Sequence, residues 1–171
     1  MSPSQPETSS SDATAWATLG RVDEWVRHAD AKLAAVLAAD LVAAGVLISL
    51  AFGRRPSPAV LVLAALGGAA SLAGLICATL GLTPRVVPPG GRILANPLFF
   101  GDVARDFRDA DAYAQALASL AADRDDLFEA LAHQVFATSV VAAKKFRWAG
   151  RALLLLVIAI LFGGAATCLG L

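Results

Sequence analysis

Residues 59–82 read AVLVLAALGGAASLAGLICATLGL, 24 positions without a charge. A bilayer core of about 30 Å is crossed by about 20 helical residues, so this run is long enough to span it. Two more runs follow the same arithmetic. Residues 33–52, LAAVLAADLVAAGVLISLAF, carry one charge, Asp40, and residues 152–171, ALLLLVIAILFGGAATCLGL, carry none. A soluble helix of this length shows a polar face, and none of the three does. Gly67, Gly68, Gly74, Gly163 and Gly164 suit close helix packing in lipid. The reading is an all-α membrane protein with three transmembrane helices. The first two form a helical hairpin, and a small helical cytoplasmic layer is continuous with spans one and three.

Composition agrees. Apolar residues make up 57% of the 171 positions, above the usual share of about 45–50%. Fourteen basic and fourteen acidic residues cancel, which disfavours nucleic acid as a partner. The two cysteines, Cys77 and Cys168, lie inside apolar runs, so no disulfide scaffold is implied.

The first twelve residues are rich in Ser and Pro and lack a basic segment, so the first apolar run reads as a retained anchor rather than a cleaved signal. Lys and Arg set the orientation. Twelve lie before span one or between spans two and three, against Arg54 and Arg55 between spans one and two. The positive-inside rule places the N-terminus and the segment 83–151 in the cytoplasm of a cell (plasma) membrane protein, with the C-terminus outside.

Residues 1–13 read as a disordered tail, and 14–171 as a single domain. A helix is expected from Thr14, capped by Asp12 or Thr14, and running unbroken into span one past Gly20. Gly53–Pro58 reads as a tight turn. Residues 83–97 form a loop, because Pro84, Pro88, Pro89, Gly90, Gly91 and Pro97 forbid a long helix. A helix is expected over 102–122. A break is expected at the capping acids Asp123–Asp126, followed by a helix that enters span three.

The residues give little support for catalysis. His28 and His133 stand alone, no metal-ligand cluster is visible, and no phosphate loop, serine elbow or Cys–His pair occurs. The expectation is a non-enzyme without cofactor or metal. Asp40 has two readings: an ion or proton relay, or, as the simpler one, an interfacial acid facing water or another helix about one turn inside the boundary. Asp23, Arg27 and Asp30 share a helix face and allow an ion-pair ladder, while Lys32 points away from Asp30. Asn96-Pro97-Leu98-Phe99-Phe100-Gly101-Asp102 is either a hydrophobic plug or a ligand wall. In the second case Phe99 or Phe100 stacks on a base, Asn96 bonds its edge, and Arg105 or Arg108 holds a phosphate. The competing use of both arginines is pairing with Asp102, Asp106, Asp109 or Asp111 nearby.

Ala29-Asp30-Ala31-Lys32 opens the first span and a second span pairs with it. Pro97-Leu98-Phe99-Phe100-Gly101-Asp102 follows, then Lys144-Lys145 before the third span. In this order the chain, from about Trp16 to Leu171, resembles the Pycsar effector family of anti-phage defence. The resemblance implies activation by a cyclic pyrimidine nucleotide, cyclic UMP or cyclic CMP, made by a separately encoded cyclase. It implies membrane disruption and abortive infection as the outcome. Candidate ligand contacts are Asp30, Lys32, Asn96, Phe99, Phe100, Arg105, Arg108 and Lys145. The lipid bilayer and further copies of the chain, in a homo-oligomer, are the other expected partners. The high alanine content and the lack of a fused catalytic domain depart from many relatives. Two readings from other classes stand beside this one: a structural or scaffolding membrane protein without a nucleotide ligand, and a membrane enzyme.

Overall fold

The computed structural model describes residues 7–53, 56–83 and 96–170, the side chains of residues 7–12 and Phe100 excepted. The described residues form five helices and no strand: α1 (Glu7–Ala51), α2 (Pro58–Leu82), α3 (Phe100–Asp106), α4 (Ala110–Ala122) and α5 (Arg124–Gly170). Helices α1, α2 and α5 each contain a stretch long and apolar enough to cross a membrane. Most of the loop expected over 83–97, with Gly90 and Gly91, lies outside the described residues, as do Arg54, Arg55 and Leu171.

Local chemistry explains the ends. α2 starts where Ser57 caps it, its hydroxyl accepting from Val60 N at 3.3 Å, with Pro58 at the first helical position. α1 passes Gly20 unbroken, as expected. It opens at Glu7 rather than beside Asp12 or Thr14, taking in part of the stretch read as tail. The helix expected over 102–122 is interrupted. α3 stops at Asp106, and Asp109 caps α4 by accepting from Ala112 N at 2.8 Å. An N-cap is extended rather than helical, so Asp109 divides the segment. The break expected at Asp123 is present: its carboxylate accepts from the amides of Asp125 at 3.0 Å and Asp126 at 3.2 Å.

The chain divides into two compact units. The first comprises residues 1–26 and 84–142, with Val22 and Leu131 among its buried residues. The second comprises residues 27–83 and 143–171 and holds the apolar helices.

In the second unit one repeat governs the packing. The buried positions of α2 are Val60, Ala64, Gly67, Ser71, Gly74, Ala78 and Gly81, separated by four and three residues in turn. On α5 the series is Ala149, Ala152, Leu156, Ala159, Gly163 and Ala166. On α1, Ala29, Leu33, Val36, Asp40 and Leu47 are buried at the same spacing. A seven-residue repeat keeps each seam facing its partners. α1 and α2 run antiparallel, Leu33 lying against Gly81 and Leu47 against Gly67. α5 runs parallel to α1, because Trp148 also meets Gly81 and Gly163 also meets Leu47.

The inside of this bundle is largely small and its outside large. Leu41, Val42, Ile48, Val62, Leu72, Leu154, Ile160 and Leu161 all face outward. Water would penalise that distribution, whereas lipid tails solvate it and leave close packing to hold the helices together. Gly67 and Gly163 are occupied inside the bundle by Leu47, while Gly68 and Gly164 face open space.

Candidate functional site

The eight candidate contacts fall into two groups, one in each unit. Asn96, Phe99, Phe100, Arg105 and Arg108 belong to the first, and Asp30, Lys32 and Lys145 to the second.

In the first group, Asn96 organises a turn. Its side-chain oxygen accepts from Leu98 N at 2.9 Å, and its amide donates to the Ala130 carbonyl at 3.0 Å. Its backbone N–H donates to Asp102 Oδ2 at 3.0 Å, and Phe99 N returns to its carbonyl at 3.0 Å. Pro97 pre-sets the backbone of this turn and Asn suits its first position. Part of the hydrogen-bonding capacity assigned to a base edge is therefore committed to the fold. Phe99 is the half-buried N-cap of α3, which Phe100 begins.

Asp102, 5% exposed, links this turn to Arg105. Arg105 Nη2 donates to Asp102 Oδ1 at 2.9 Å, and its Nε to Asp106 Oδ1 at 3.1 Å. The competing use read from the sequence is thus the one Arg105 has. Arg108 differs: its side chain is 94% exposed and its Nε is 3.9 Å from Asp109, beyond a hydrogen bond. Its guanidinium is open to solvent, whereas that of Arg105 is held by Asp102 and Asp106. The aromatic ring closest in sequence, Phe107, is held edge-on against Tyr113 at 5.4 Å.

In the second group, Asp30 and Lys32 both find α5. Lys145 Nζ bonds Asp30 Oδ1, so the acid of the α1 ladder is spent across to a neighbouring helix rather than along its own. The Lys32 ammonium lies over the Phe146 ring, 5.6 Å from its centroid. Arg151 lies 5.1 Å from the Trp148 ring centroid. Cations held on aromatic faces beside an apolar bundle form an interfacial collar. Phe146, Trp148 and Arg151 were not singled out by sequence reasoning. The alternation Lys145-Phe146-Arg147-Trp148 is the signal that carries them. Among the described residues no group of His, Cys, Asp and Glu is arranged to hold a metal.

Comparison with known proteins bears on these features together. Residues 14–170 match the model of the Pycsar effector protein domain. The chain is similar to the Pycsar effector protein PtPycTM of Propioniciclava tarda, 41% identical over 150 residues, covering 86% of this chain and 73% of that protein. No solved structure matches. The match begins within α1, ahead of its apolar stretch, and ends at the last residue of α5, taking in both groups of candidate contacts. The chain belongs to the Pycsar effector family, the membrane effectors of an anti-phage defence system.

Proposed function

We propose that this chain is a membrane effector switched on by a cyclic pyrimidine nucleotide, cyclic UMP or cyclic CMP. A separately encoded cyclase supplies the nucleotide. The activated effector then impairs membrane integrity, and the infected cell dies before phage mature. The observation that carries this reading is the family match over residues 14–170, nearly the whole chain. The first of the two groups suits a ligand of this chemistry. Arg108 offers a guanidinium to one phosphodiester charge, and Phe99 sits at the turn that opens α3. α1 and α5 are each one unbroken helix, so a shift imposed on their polar halves is carried along the helix into the bundle.

Switching a population from 1:99 to 99:1 takes about 5.5 kcal/mol of preference for the active state. Several copies sharing that cost give a steep response, which favours a homo-oligomer. Gly68 and Gly164, with nothing near them, leave room for a neighbouring copy.

Two measurements test the reading. Titration of purified protein in detergent with cyclic UMP and cyclic CMP should show saturable binding of one of them. Cells making the protein and the cognate nucleotide should lose membrane potential. Absence of binding to either nucleotide, with membrane potential intact, overturns it.

A further inference from the structure

Three layers of the membrane bundle share one register. Leu33 meets Gly81, Asp40 meets Gly74 and Leu47 meets Gly67, seven residues apart on each helix and in opposite directions along the two. In the two outer layers leucine methyls take the space a glycine lacks. A Cβ on Gly81 would lie 2.9 Å from both Leu33 Cδ atoms, and one on Gly67 would lie 2.8 Å from Leu47 Cδ2. In the middle layer the same space is taken by Oδ2 of Asp40. Asp40 is fully buried. Its Oδ1 accepts from Ser71 Oγ at 2.9 Å, and among the described residues Oδ2 has no hydrogen-bond partner.

Packing does not call for a carboxyl group here. Leucine fills this register position in both flanking layers, and those layers already set the α1–α2 register. A polar atom without a partner in an apolar seam works against the packed state, and acids inside a membrane mark ion pathways. Asp40 lies seven residues, about 10 Å along α1, from the Leu33–Gly81 layer and the same distance from the Leu47–Gly67 layer. As the interfacial reading allows, the acid faces another helix.

We propose that Asp40 is the ion-contacting residue of the activated effector: when α1 and α2 part, its carboxyl group becomes the polar wall of the leak through the membrane. In water a carboxyl group is ionised at neutral pH, so the path prefers cations. Ser71, one turn of α2 away from Gly74, adds a hydroxyl to the same wall. This inference rests on the membrane-impairing function proposed above.

The test is conductance of the full chain in planar bilayers under a KCl gradient, with cyclic UMP and cyclic CMP added in turn. The wild type should pass a cation-selective current. Asp40→Asn, of the same shape, should keep the current and lower cation preference about tenfold. Asp40→Leu, repeating the flanking layers, should lower the current about tenfold while leaving nucleotide affinity and thermal midpoint in detergent at or above wild type. Wild-type current and reversal potential in both variants overturn the role of Asp40 and leave the proposed function standing. A silent wild type with both nucleotides overturns the two together.

Discussion

Lys145 is bonded to Asp30 across α1 and α5, and the two ends of the bond are unequally sheltered: the Lys145 side chain is 13% exposed and that of Asp30 37%. Removing the acid strands a mostly buried ammonium, whereas removing the base leaves an acid that water reaches. Asp30→Ala should therefore cost about 1–3 kcal/mol of bundle stability. Lys145→Ala should cost less than about 1 kcal/mol. Thermal unfolding of the purified protein in detergent checks the order, and equal costs would show the pair to be solvated at both ends.

The glycines of α2 separate by the face they occupy. Gly81→Ala forces a Cβ onto Leu33 and Trp148 and should destabilise the bundle by about 1–3 kcal/mol. Within a single chain Gly68→Ala meets nothing within 4 Å and removes a helix-interior glycine, so where no second copy packs on that face it should be neutral or stabilising by up to about 1 kcal/mol. The same detergent melts read both. A destabilised Gly68→Ala would reveal a neighbour at that face.

Asn96 ties the turn before α3 to the Ala130 carbonyl. Asn96→Ala removes two side-chain hydrogen bonds, each worth about 0.5–1.5 kcal/mol. Amide exchange at Leu98, and at Asp102 just beyond the turn, should accelerate while the apolar helices keep their protection. Unchanged exchange would remove Asn96 from the turn.

Arg105 and Arg108 should part company in nucleotide binding. Arg105 is held by Asp102 and Asp106, and Arg105→Ala should chiefly loosen α3. Arg108 is exposed, and Arg108→Ala should weaken binding about tenfold, the loss of a charge-assisted bond worth about 1.5 kcal/mol or more, with the thermal midpoint unchanged. Affinity for cyclic UMP and cyclic CMP that survives Arg108→Ala would take this residue out of the pocket.

From twelve basic residues against two, the positive-inside rule leads us to propose that the N-terminus and the segment between α2 and α5 lie on the cytoplasmic side. Reporter fusions should be cytoplasmic after Leu82 and external after Gly170. An external reporter after Leu82 would reverse the topology.

Length and hydropathy made the membrane part legible. An apolar run of 20 or more residues has essentially one use in a small protein, because only a helix satisfies its own backbone in lipid. Capping at Asp123 was readable for a similar reason: its side chain acts on its own helix. The split at Asp109 went unread because its apolar neighbours Phe107, Ala110 and Ala114 keep a helical spacing across the break. That spacing does not distinguish one helix from two.

The sequence by itself determined that there are three long apolar helices, where the basic residues lie, and that Asn96–Asp102 is a turn entering a helix. These follow from covalent order and local hydrogen bonding. Only the tertiary structure decided which partner each residue takes. It sent Asp30 to Lys145 and kept Arg105 among its own acids. It placed Gly67 and Gly163 inside the bundle and Gly68 and Gly164 outside, although each pair is adjacent in the chain. It also set Asp40 against Gly74 in a layer that leucine occupies above and below. The reason is geometric. Which side of a uniformly apolar helix faces its neighbours depends on how helices fit together, and hydrophobicity alone carries no face where every face is apolar.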